Sequence, residues 1–362
     1  MADDVGDPRL HTRFCDLVGI RHPIVQTGMG WVAGSRLTAA TARAGGLGII
    51  AAAPMTCAQM ATAIDEVRAV TDAPFGVNLR TDATDVDRRV DHLITEGVRV
   101  ASFAQAPGRA IVERLKEAGV LVIPTIGARR HAEKVAEWGV DAVIAQGAEG
   151  GGHTGNVPTT QLVPQVIDAL DGTGVAVVAA GGFTDGRGLA AALAWGADAV
   201  AMGTRFLLTT DSDVPDAVKA VYLATPVTGT VVTRAIDGAP QRVVDTDLVR
   251  RLERSRLLAF PRAAVNALRF RRLTGTGLVE LLAEGLRMKR NSELTWGQVA
   301  MAANAPMLTR ASMVEGRTEV GILPTGQGVG SIDELPSCAE LVERTITEAS
   351  RALDRLGGVG EG

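Results

Sequence analysis

Aromatic side chains are scarce in this sequence of 362 residues, where phenylalanine, tyrosine and tryptophan together make up 3%. Proteins that bind single-stranded nucleic acid on stacking platforms depend on such side chains, and the formal net charge of −4 provides no basic footprint. No stretch reaches the roughly 20 consecutive apolar residues that a membrane-spanning helix needs. We therefore expect neither a nucleic-acid-binding protein nor a membrane protein.

Cysteine is also rare, with Cys15, Cys57 and Cys338 far apart and in no CxxC pattern. Such spacing indicates reduced thiols in a reducing compartment. The segment Met1–Asp7 is acidic and lacks the apolar core of a secretion signal. From these two features we expect a cytoplasmic protein. No cluster of Cys, His and Asp has the spacing of metal ligands, so we expect no metal site.

Short apolar runs, by contrast, recur along the first 210 residues. Most of them are continuous rather than alternating, which is typical of strands covered on both faces. The eight runs are Ile24–Thr27, Gly48–Ala52, Phe75–Asn78, Val98–Phe103, Val120–Pro124, Ala142–Gln146, Val175–Ala180 and Ala199–Met202.

Amphipathic segments separate these runs and predict helices. They include Arg36–Ala44, Cys57–Val70, Ala128–Trp138 and Arg187–Trp195, and a glycine follows three of them directly. Eight strand–helix repeats imply parallel strands with right-handed crossovers that close into a (β/α)8 TIM barrel. The predicted fold class is therefore α/β, with a barrel over residues 8–210 that continues over residues 300–350.

The remaining segment, residues 211–300, is predicted to be appended, basic and mainly helical. It contains the strand-like run Thr228–Thr233 and the helical, arginine-rich stretch Asp247–Arg290. One interpretation of that stretch is a solvated helical face. The other is a cover over the substrate that docks a phosphate-rich ligand such as the nucleotide end of coenzyme A, with Arg250 and Arg254 as candidate contacts.

In a TIM barrel the active site lies at the carboxyl ends of the strands, and a phosphate site commonly follows strands seven and eight. The loops Gly181–Gly186 and Gly203–Arg205 occupy these two places. Their glycines allow backbone N–H groups to approach a phosphate, and Thr204 adds a hydroxyl. A helix beginning near Asp185 would point its positive N-terminus at the same phosphate. The alternative is that the glycines only form tight turns.

Small and amide residues end three other strands. Met29 and Gly30 follow strand one and leave room for a flat ring over the barrel mouth. Asn78 and Gln146 end strands three and six, where an amide can donate to and accept from the edge of a heterocycle. Each amide also has the alternative of a local turn bond.

The stretch Gln146–Gly155 is the richest in glycine and contains His153. A histidine in a flexible loop at the catalytic end of a barrel suits general acid or base chemistry near neutral pH. The alternative is a structural histidine. His11, His22, His92 and His131 lie on the N-terminal arm or on predicted helices and are interpreted as structural.

Taken together, these stretches resemble the nitronate monooxygenase (2-nitropropane dioxygenase) family, which includes FMN-dependent enoyl-ACP reductases. The resemblance rests on Pro23–Gly30, Ala44–Gly48, Phe75–Asn78, Gln146–Gly155, Ala179–Gly188, Ala201–Arg205 and the distal Gly326–Gly330. In Met29–Val32, Glu149–Gly155 and Asn304–Met307 the chain is more similar to an actinobacterial branch that acts on CoA thioesters in steroid-ring catabolism.

The resemblance implies FMN as the cofactor and His153 as the catalytic histidine. The implied FMN contacts are Met29, Gly30, Asn78, Gln146, Gly151, Gly152, Gly181, Gly182, Gly203 and Thr204. Gln327 is a candidate substrate contact, and NAD(P) is a candidate electron partner. The preferred activity is dehydrogenation of a hydroxylated bicyclic acyl-CoA, and the alternatives are nitronate oxidation with O2 and enoyl-thioester reduction. Barrels of this kind often pair, which makes a homodimer a candidate assembly.

Overall fold

The computed structural model describes residues 7–254 and 296–358, with residues 296–304 described as backbone. Eight parallel strands of this part of the chain close into a barrel, which confirms the predicted fold class. Closure comes from pairing of the first strand with the last, in the register Gln26↔Met202. The barrel strands are β1 (Ile24–Gln26), β2 (Leu47–Ala51), β3 (Phe75–Leu79), β4 (Val100–Phe103), β5 (Leu121–Ile126), β6 (Ala142–Gln146), β8 (Ala176–Ala180) and β9 (Ala199–Met202).

Each predicted apolar run overlaps one of these strands, because parallel strands in a barrel are covered on both faces. Leu47 and Ile49 point into the barrel, where they pack with Val25, Val100 and other small or branched side chains. Ile50, the next residue after Ile49, belongs instead to the cluster that joins the strands to the outer helices. This alternation is the two-residue period of a β-strand.

Helices follow the strands around the outside of the barrel. They are α2 (Ser35–Arg43), α3 (Cys57–Arg68), α4 (Val86–Thr95), α5 (Arg109–Glu117), α6 (Arg129–Ala136), α7 (Thr159–Leu170) and α8 (Gly186–Ala194), whereas α1 (Arg13–Val18) precedes the first strand. Thr56 and Gln59 form a reciprocal capping box at the start of α3. Gly139 and Gly196 have φ of +81° and +97° just past α6 and α8, a conformation that favours glycine.

The first helix closes the amino-terminal end of the barrel. Phe14, Cys15 and Val18 of α1 are fully buried and pack against the interior strand residues. This plug leaves the opposite end, where the strands have their carboxyl ends, as the open mouth.

Beyond β9 the described chain adds three short α-helices, a hairpin, an 18-residue helix, a short 3₁₀ helix and a long terminal helix. These are α9 (Thr204–Leu207), α10 (Asp216–Leu223), β10 (Thr230–Thr233), β11 (Gln241–Val244), α11 (Asp247–Arg254), α12 (Trp296–Met313), the 3₁₀ helix η1 (Gln327–Ser331) and α13 (Cys338–Leu356). Helix α13 packs on α8 and α2, and an ideal Cβ on Gly186 would lie 2.2 Å from the Thr345 carbonyl oxygen. The C-terminal helix therefore completes the outer layer.

The segment over residues 211–300 was predicted to be mainly helical with one strand-like run. Its described part contains that run as β10, together with a second strand, β11, that pairs with it antiparallel. The glycine-rich loop after β6 supplies a third strand, β7 (Gly152–His153), on the other edge of β11. Of the predicted helix over 247–290, residues 255–290 lie outside the described residues. No helix in the described ranges is long and apolar enough to cross a membrane.

Candidate active site

The loops at the barrel mouth bring most of the predicted site residues together. Gly203, after β9, lies beside the loop after β1, since an ideal Cβ on it would lie 3.3 Å from Thr27 Oγ1 and 3.4 Å from Met29 Sδ. Gly182, after β8, lies against the Cβ of Glu149 in the loop after β6. Parallel strands share one polarity, so residues that are distant in sequence converge here.

A segment near the C-terminus crosses the same mouth and links two of these loops. Gly326 N–H donates to Thr204 Oγ1 at 2.9 Å, and Gln327 N–H donates to the Glu149 carbonyl at 2.9 Å. An ideal Cβ on Gly151 would lie 2.6 Å from Gly326 N, so only glycine fits. The resemblance included Gly326–Gly330, but these contacts of the segment were not predicted.

The segment is anchored by Tyr222, the single tyrosine of the sequence. Its buried hydroxyl donates to the Pro324 carbonyl at 2.8 Å, and burial raises the pKa of this phenol well above its ordinary value. Tyr222 therefore stays a neutral hydrogen-bond donor that fixes the approach of residues 324–328 to the mouth.

The loops after β8 and β9 present backbone donors. Gly181 and Gly182 have φ of +114° and +83°. Within the described ranges, no carbonyl or side-chain oxygen accepts from the backbone N–H groups of Gly182, Gly203 or Thr204. These donors follow two neighbouring strands, β8 and β9, and free backbone N–H groups of this kind are typical phosphate ligands.

Helix α8 does not contribute the positive terminus that the sequence predicted. Asp185 accepts from Gly188 N–H at 3.0 Å, and Glu348 of α13 accepts from Gly186 N–H at 2.9 Å. Two carboxylates already occupy this helix end, and they would repel a phosphate. That part of the prediction is wrong because the packing of α13 could not be foreseen.

A buried cation stands next to the loop after β9. Arg205 is 3% exposed, and its guanidinium donates to the carbonyls of Leu208 and Glu334. Burial lowers the pKa of Arg205 to about 10, which leaves it charged at neutral pH. No carboxylate of the described chain lies within ion-pair distance of its guanidinium, although Glu334 and Asp333 are close enough to raise its pKa.

The two predicted amides have different surroundings. Asn78 is 8% exposed, and its amide nitrogen donates to Ser102 Oγ at 3.2 Å. Gln146 donates to the carbonyl of His153 at 2.8 Å, and an ideal Cβ on Gly150 would collide with the Gln146 side chain at 2.6 Å. Gln146 therefore shapes the glycine-rich loop that carries the histidine.

The loop after β1 carries an unusual backbone. Trp31 has φ of +67°, which is rare for a bulky residue, and the Arg310 guanidinium of α12 lies 5.6 Å from its ring centroid. Within the described residues nothing lies within 4 Å of an ideal Cβ on Gly30, so space remains beside this loop. Strain of this kind concentrates at functional sites.

His153 lies on β7 directly opposite Gln241 of β11. Its Nε2 is 2.7 Å from Oδ2 of Asp237, a residue of the turn between β10 and β11. The His153 side chain is 66% exposed, whereas that of Asp237 is 11% exposed. Sequence analysis missed both Asp237 and Gln241, although Asp237-Gly238 is a turn signal that predicts a hairpin.

The two predicted arginines differ in their partners. Arg250 forms ion pairs with Asp245 at 3.1 Å and Asp247 at 2.9 Å on an exposed turn of α11. No carboxylate of the described residues lies within ion-pair distance of Arg254, although its charge helps to lower the pKa of Asp247. The other arginines of the basic stretch, from Arg256 onward, lie outside the described residues. Within residues 7–254 and 296–358 there is no group of three or more metal-ligating side chains.

The fold and the mouth define a TIM barrel with backbone donors after β8 and β9 that are unpaired in the described chain, and a histidine in the loop after β6. The chain belongs to the nitronate monooxygenase family, whose model matches residues 11–88 and 82–348. Enzymes of this family are generally flavin enzymes. The predicted family and the predicted class of enzyme, an oxidoreductase, are thereby confirmed.

Two curated relatives from actinobacteria match the chain over almost its whole length. Both carry the name "(3aS,4S,5R,7aS)-5-hydroxy-7a-methyl-1-oxo-octahydro-1H-indene-4-carboxyl-CoA dehydrogenase". The Mycobacterium tuberculosis protein is 59% identical over 98% of this chain and 100% of its own length. The Rhodococcus jostii protein is 56% identical over 97% of this chain and 99% of its own length.

A solved structure, FabK from Thermotoga maritima, shares the fold. It is 36% identical, with a TM-score of 0.79, and the match covers 96% of this chain and 99% of FabK.

Proposed function

We propose that this protein is an FMN-dependent dehydrogenase of a bicyclic, steroid-derived hydroxyacyl-CoA thioester. The observation that carries the proposal is the 59% identity, over 98% of this chain and 100% of the relative, to a protein named as the dehydrogenase of such a thioester. Identity at this level over the complete barrel, the hairpin and the C-terminal helix supports a common substrate class.

The residues at the mouth fit the phosphate of FMN. The backbone N–H groups of Gly182, Gly203 and Thr204 face no acceptor in the described chain, and the buried, positively charged Arg205 directly follows Thr204 in the chain. Thr204 Oγ1 accepts from Gly326 N–H and lies 3.5 Å from Thr325 Oγ1. Neutral donors and a nearby cation together suit a phosphate dianion.

The ring of FMN would lie across the mouth near Met29, Gly30, Asn78, Gln146, Gly151, Gly152 and Gly181. When bound, the isoalloxazine supplies a hydride acceptor at N5. NAD(P) is the candidate electron partner in this proposal.

The part of the chain itself is proton transfer and positioning. A thioester acidifies its α-carbon, and His153 is the residue that would take the α-proton. Loss of that proton and of a hydride from the neighbouring carbon leaves an α,β-double bond. The glycine-rich loop holds His153 at the edge of the mouth, while the segment over Gly326–Gly330, including Gln327, narrows the entrance.

The basic segment is the proposed cover for the CoA moiety. Helix α11 begins three residues after β11, the strand whose Gln241 lies opposite His153. Arg250 and Arg254 therefore follow a strand that pairs with the histidine-bearing loop after β6. Their charges suit the phosphates of a CoA nucleotide.

Anaerobic flavin spectroscopy tests the proposal. The bicyclic hydroxyacyl-CoA is added to one sample of the purified holoenzyme and an alkyl nitronate to another, with free CoA as the control. We expect the oxidised flavin band to bleach with the thioester alone.

The result with the nitronate tests a second candidate function, nitronate oxidation, which the matching family model favours. Bleaching by the nitronate alone would make the protein a nitronate monooxygenase. If only an enoyl thioester reacts, and only with the reduced enzyme, the protein is a reductase like FabK.

The variant His153→Ala completes the test. It should keep the flavin, because none of the proposed phosphate donors belongs to this side chain. Its rate of flavin reduction should fall by about 10²- to 10⁴-fold, the usual contribution of a general base. A rate equal to that of the wild type would remove His153 from the mechanism.

A further inference from the structure

We propose that Asp237 is a positioning residue that keeps a proton on Nε2 of His153 and thereby makes Nδ1 the atom that accepts the substrate proton. This inference rests on the proposed function, in which His153 is the base. It adds a residue that sequence analysis did not find and an assignment of the two ring nitrogens.

The hairpin places Asp237 against the histidine in a defined geometry. Gln241 and His153 are paired across β11 and β7, so their side chains lie on one face of the small sheet. The turn from β10 to β11 then brings the Asp237 carboxylate to 2.7 Å from His153 Nε2. The Gln241 amide nitrogen lies 3.3 Å from the same ring atom and also donates to Asp237.

Asp237 is itself held by two donors besides the histidine. Its Oδ1 accepts from Ala239 N–H at 3.0 Å, and its Oδ2 accepts from the Gln241 amide. Because two of the three hydrogen bonds to the carboxylate come from other groups, the position of Asp237 does not depend on the histidine rotamer. A carboxylate fixed in advance can orient a base, because no reorganisation is needed when the base becomes charged.

Exposure distinguishes this pair from an ordinary surface ion pair. Asp237 is 11% exposed, so water competes little for its oxygens. The chain also contains His11 and Asp16 at the same distance, 2.7 Å, but their side chains are 51% and 74% exposed. Surface pairs of that kind contribute little, whereas a shielded carboxylate interacts more strongly with its partner.

The assignment of the nitrogens follows from hydrogen-bond chemistry. An ionised carboxylate only accepts, so the nitrogen that faces Asp237 must carry the hydrogen. In a neutral ring the other nitrogen then has the free lone pair, and no donor among the described residues bonds to His153 Nδ1. The α-carbon–hydrogen bond breaks, the proton goes to Nδ1, and the electron pair stays on the substrate. The imidazolium that forms is stabilised by the Asp237 anion.

The first experiment observes the tautomer without any substrate. Nitrogen-15 NMR of the histidine-labelled holoenzyme, assigned with His153→Ala, reports which ring nitrogen carries the proton. We expect His153 to be protonated on Nε2 with a proton resonance shifted downfield, and we expect this resonance to be lost in Asp237→Ala. A neutral ring protonated on Nδ1, or an unchanged resonance in the variant, would overturn the proposal.

The second experiment measures turnover and has a matched control. In Asp237→Ala we expect kcat to fall on the order of 10²-fold, with KM and flavin content nearly unchanged. Asp237→Asn keeps an oxygen that can accept from Nε2, so it should recover part of kcat. Asp16→Ala removes the carboxylate of the surface pair and should leave kcat unchanged.

A purely structural role gives a different pattern. If Asp237 only supports the hairpin, Asp237→Ala and Asp237→Asn should lower flavin content or raise KM while kcat persists, and the proposal fails. Measuring with both the acyl-CoA and the alkyl nitronate separates the two proposals. An error in the substrate class changes which compound reacts, whereas the tautomer and the fall in kcat for the reactive compound depend on Asp237 alone.

Discussion

Glu149 and Thr159 are joined by two hydrogen bonds, in which one carboxylate oxygen of Glu149 accepts from the backbone N–H of Thr159 at 2.9 Å and from its hydroxyl at 2.6 Å. The carboxylate lies at the N-terminus of α7, where a negative charge is favourable. The same hydroxyl lies 3.1 Å from the Gly181 carbonyl. One contact thus ties the glycine-rich loop to both the helix and the loop after β8.

This relationship leads to a prediction about stability. Glu149→Gln keeps the shape of the side chain but removes the charge from the helix end, so the free energy of unfolding should fall by about 1 kcal/mol. The flavin should also dissociate more readily, because the loops at the mouth lose a shared anchor. Urea unfolding and flavin fluorescence after dilution measure the two effects. The control Glu133→Gln, in an exposed pair with Arg129, should change neither.

The close approach of Gly151 to the distal segment leads to a second prediction. In Gly151→Ala the added methyl group would lie 2.6 Å from backbone atoms of Thr325 and Gly326, so one of the two loops must move. We expect a protein that folds but binds the flavin at least about tenfold more weakly, which corresponds to about 1.4 kcal/mol. Gly34→Ala is the matched control, because no described atom lies within 4 Å of its Cβ. Equal flavin content in both variants would contradict the prediction.

The different partners of the two basic residues lead to a third prediction. Arg250 forms ion pairs with two aspartates, whereas no carboxylate of the described chain lies within ion-pair distance of Arg254. Arg254→Ala should therefore raise KM for the acyl-CoA more than Arg250→Ala does, with flavin content unchanged in both. The difference should shrink at high salt, because exposed charges are screened. Steady-state kinetics at two ionic strengths measures this difference in KM. Equal KM values at low salt would indicate that the segment is a solvated surface and does not bind the CoA moiety.

The cysteines lead to a prediction about reactivity and pH. Burial raises the pKa of the Cys338 thiol to about 12 and also raises that of Cys15. Only a thiolate reacts with a disulfide reagent, so at pH 8 both groups stay protonated as well as shielded. We expect a native titration to detect one fast thiol, the half-buried Cys57, and a titration in denaturant to detect three. Cys57→Ser should abolish the fast reaction, and a fast reaction that persists in this variant would refute the assignment.

The barrel was predictable because its physical causes are local. Strands such as Ala142–Gln146 and Ala176–Ala180 are buried on both faces, which requires continuous apolar runs that are visible in the sequence. The glycines after β8 and β9 were visible for a similar reason, since positive φ and close approach select that residue type. Their positions after the seventh and eighth strands followed from strand counting alone.

Other features of the site depend on contacts between distant parts of the chain. Asp237 lies 84 residues from His153, and Glu348 lies 162 residues from the helix end that it occupies. In the sequence, the residues around Asp237 and Glu348 do not distinguish these two from ordinary surface acids. The turn signal Asp237-Gly238 predicts a hairpin, but it does not say against which loop the hairpin packs.

The sequence by itself therefore determined the α/β class and the eight-stranded closure, and it predicted the end of the barrel for the site and the candidate histidine. These depend on periodicity, on backbone conformations that only glycine tolerates, and on the shared polarity of parallel strands. Only the tertiary structure decided which carboxylate lies at which positive group. Asp237 pairs with His153, Glu348 lies at the N-terminus of α8 and Glu149 lies at the N-terminus of α7. These pairings depend on distances that are set by the packing of the hairpin and of α13.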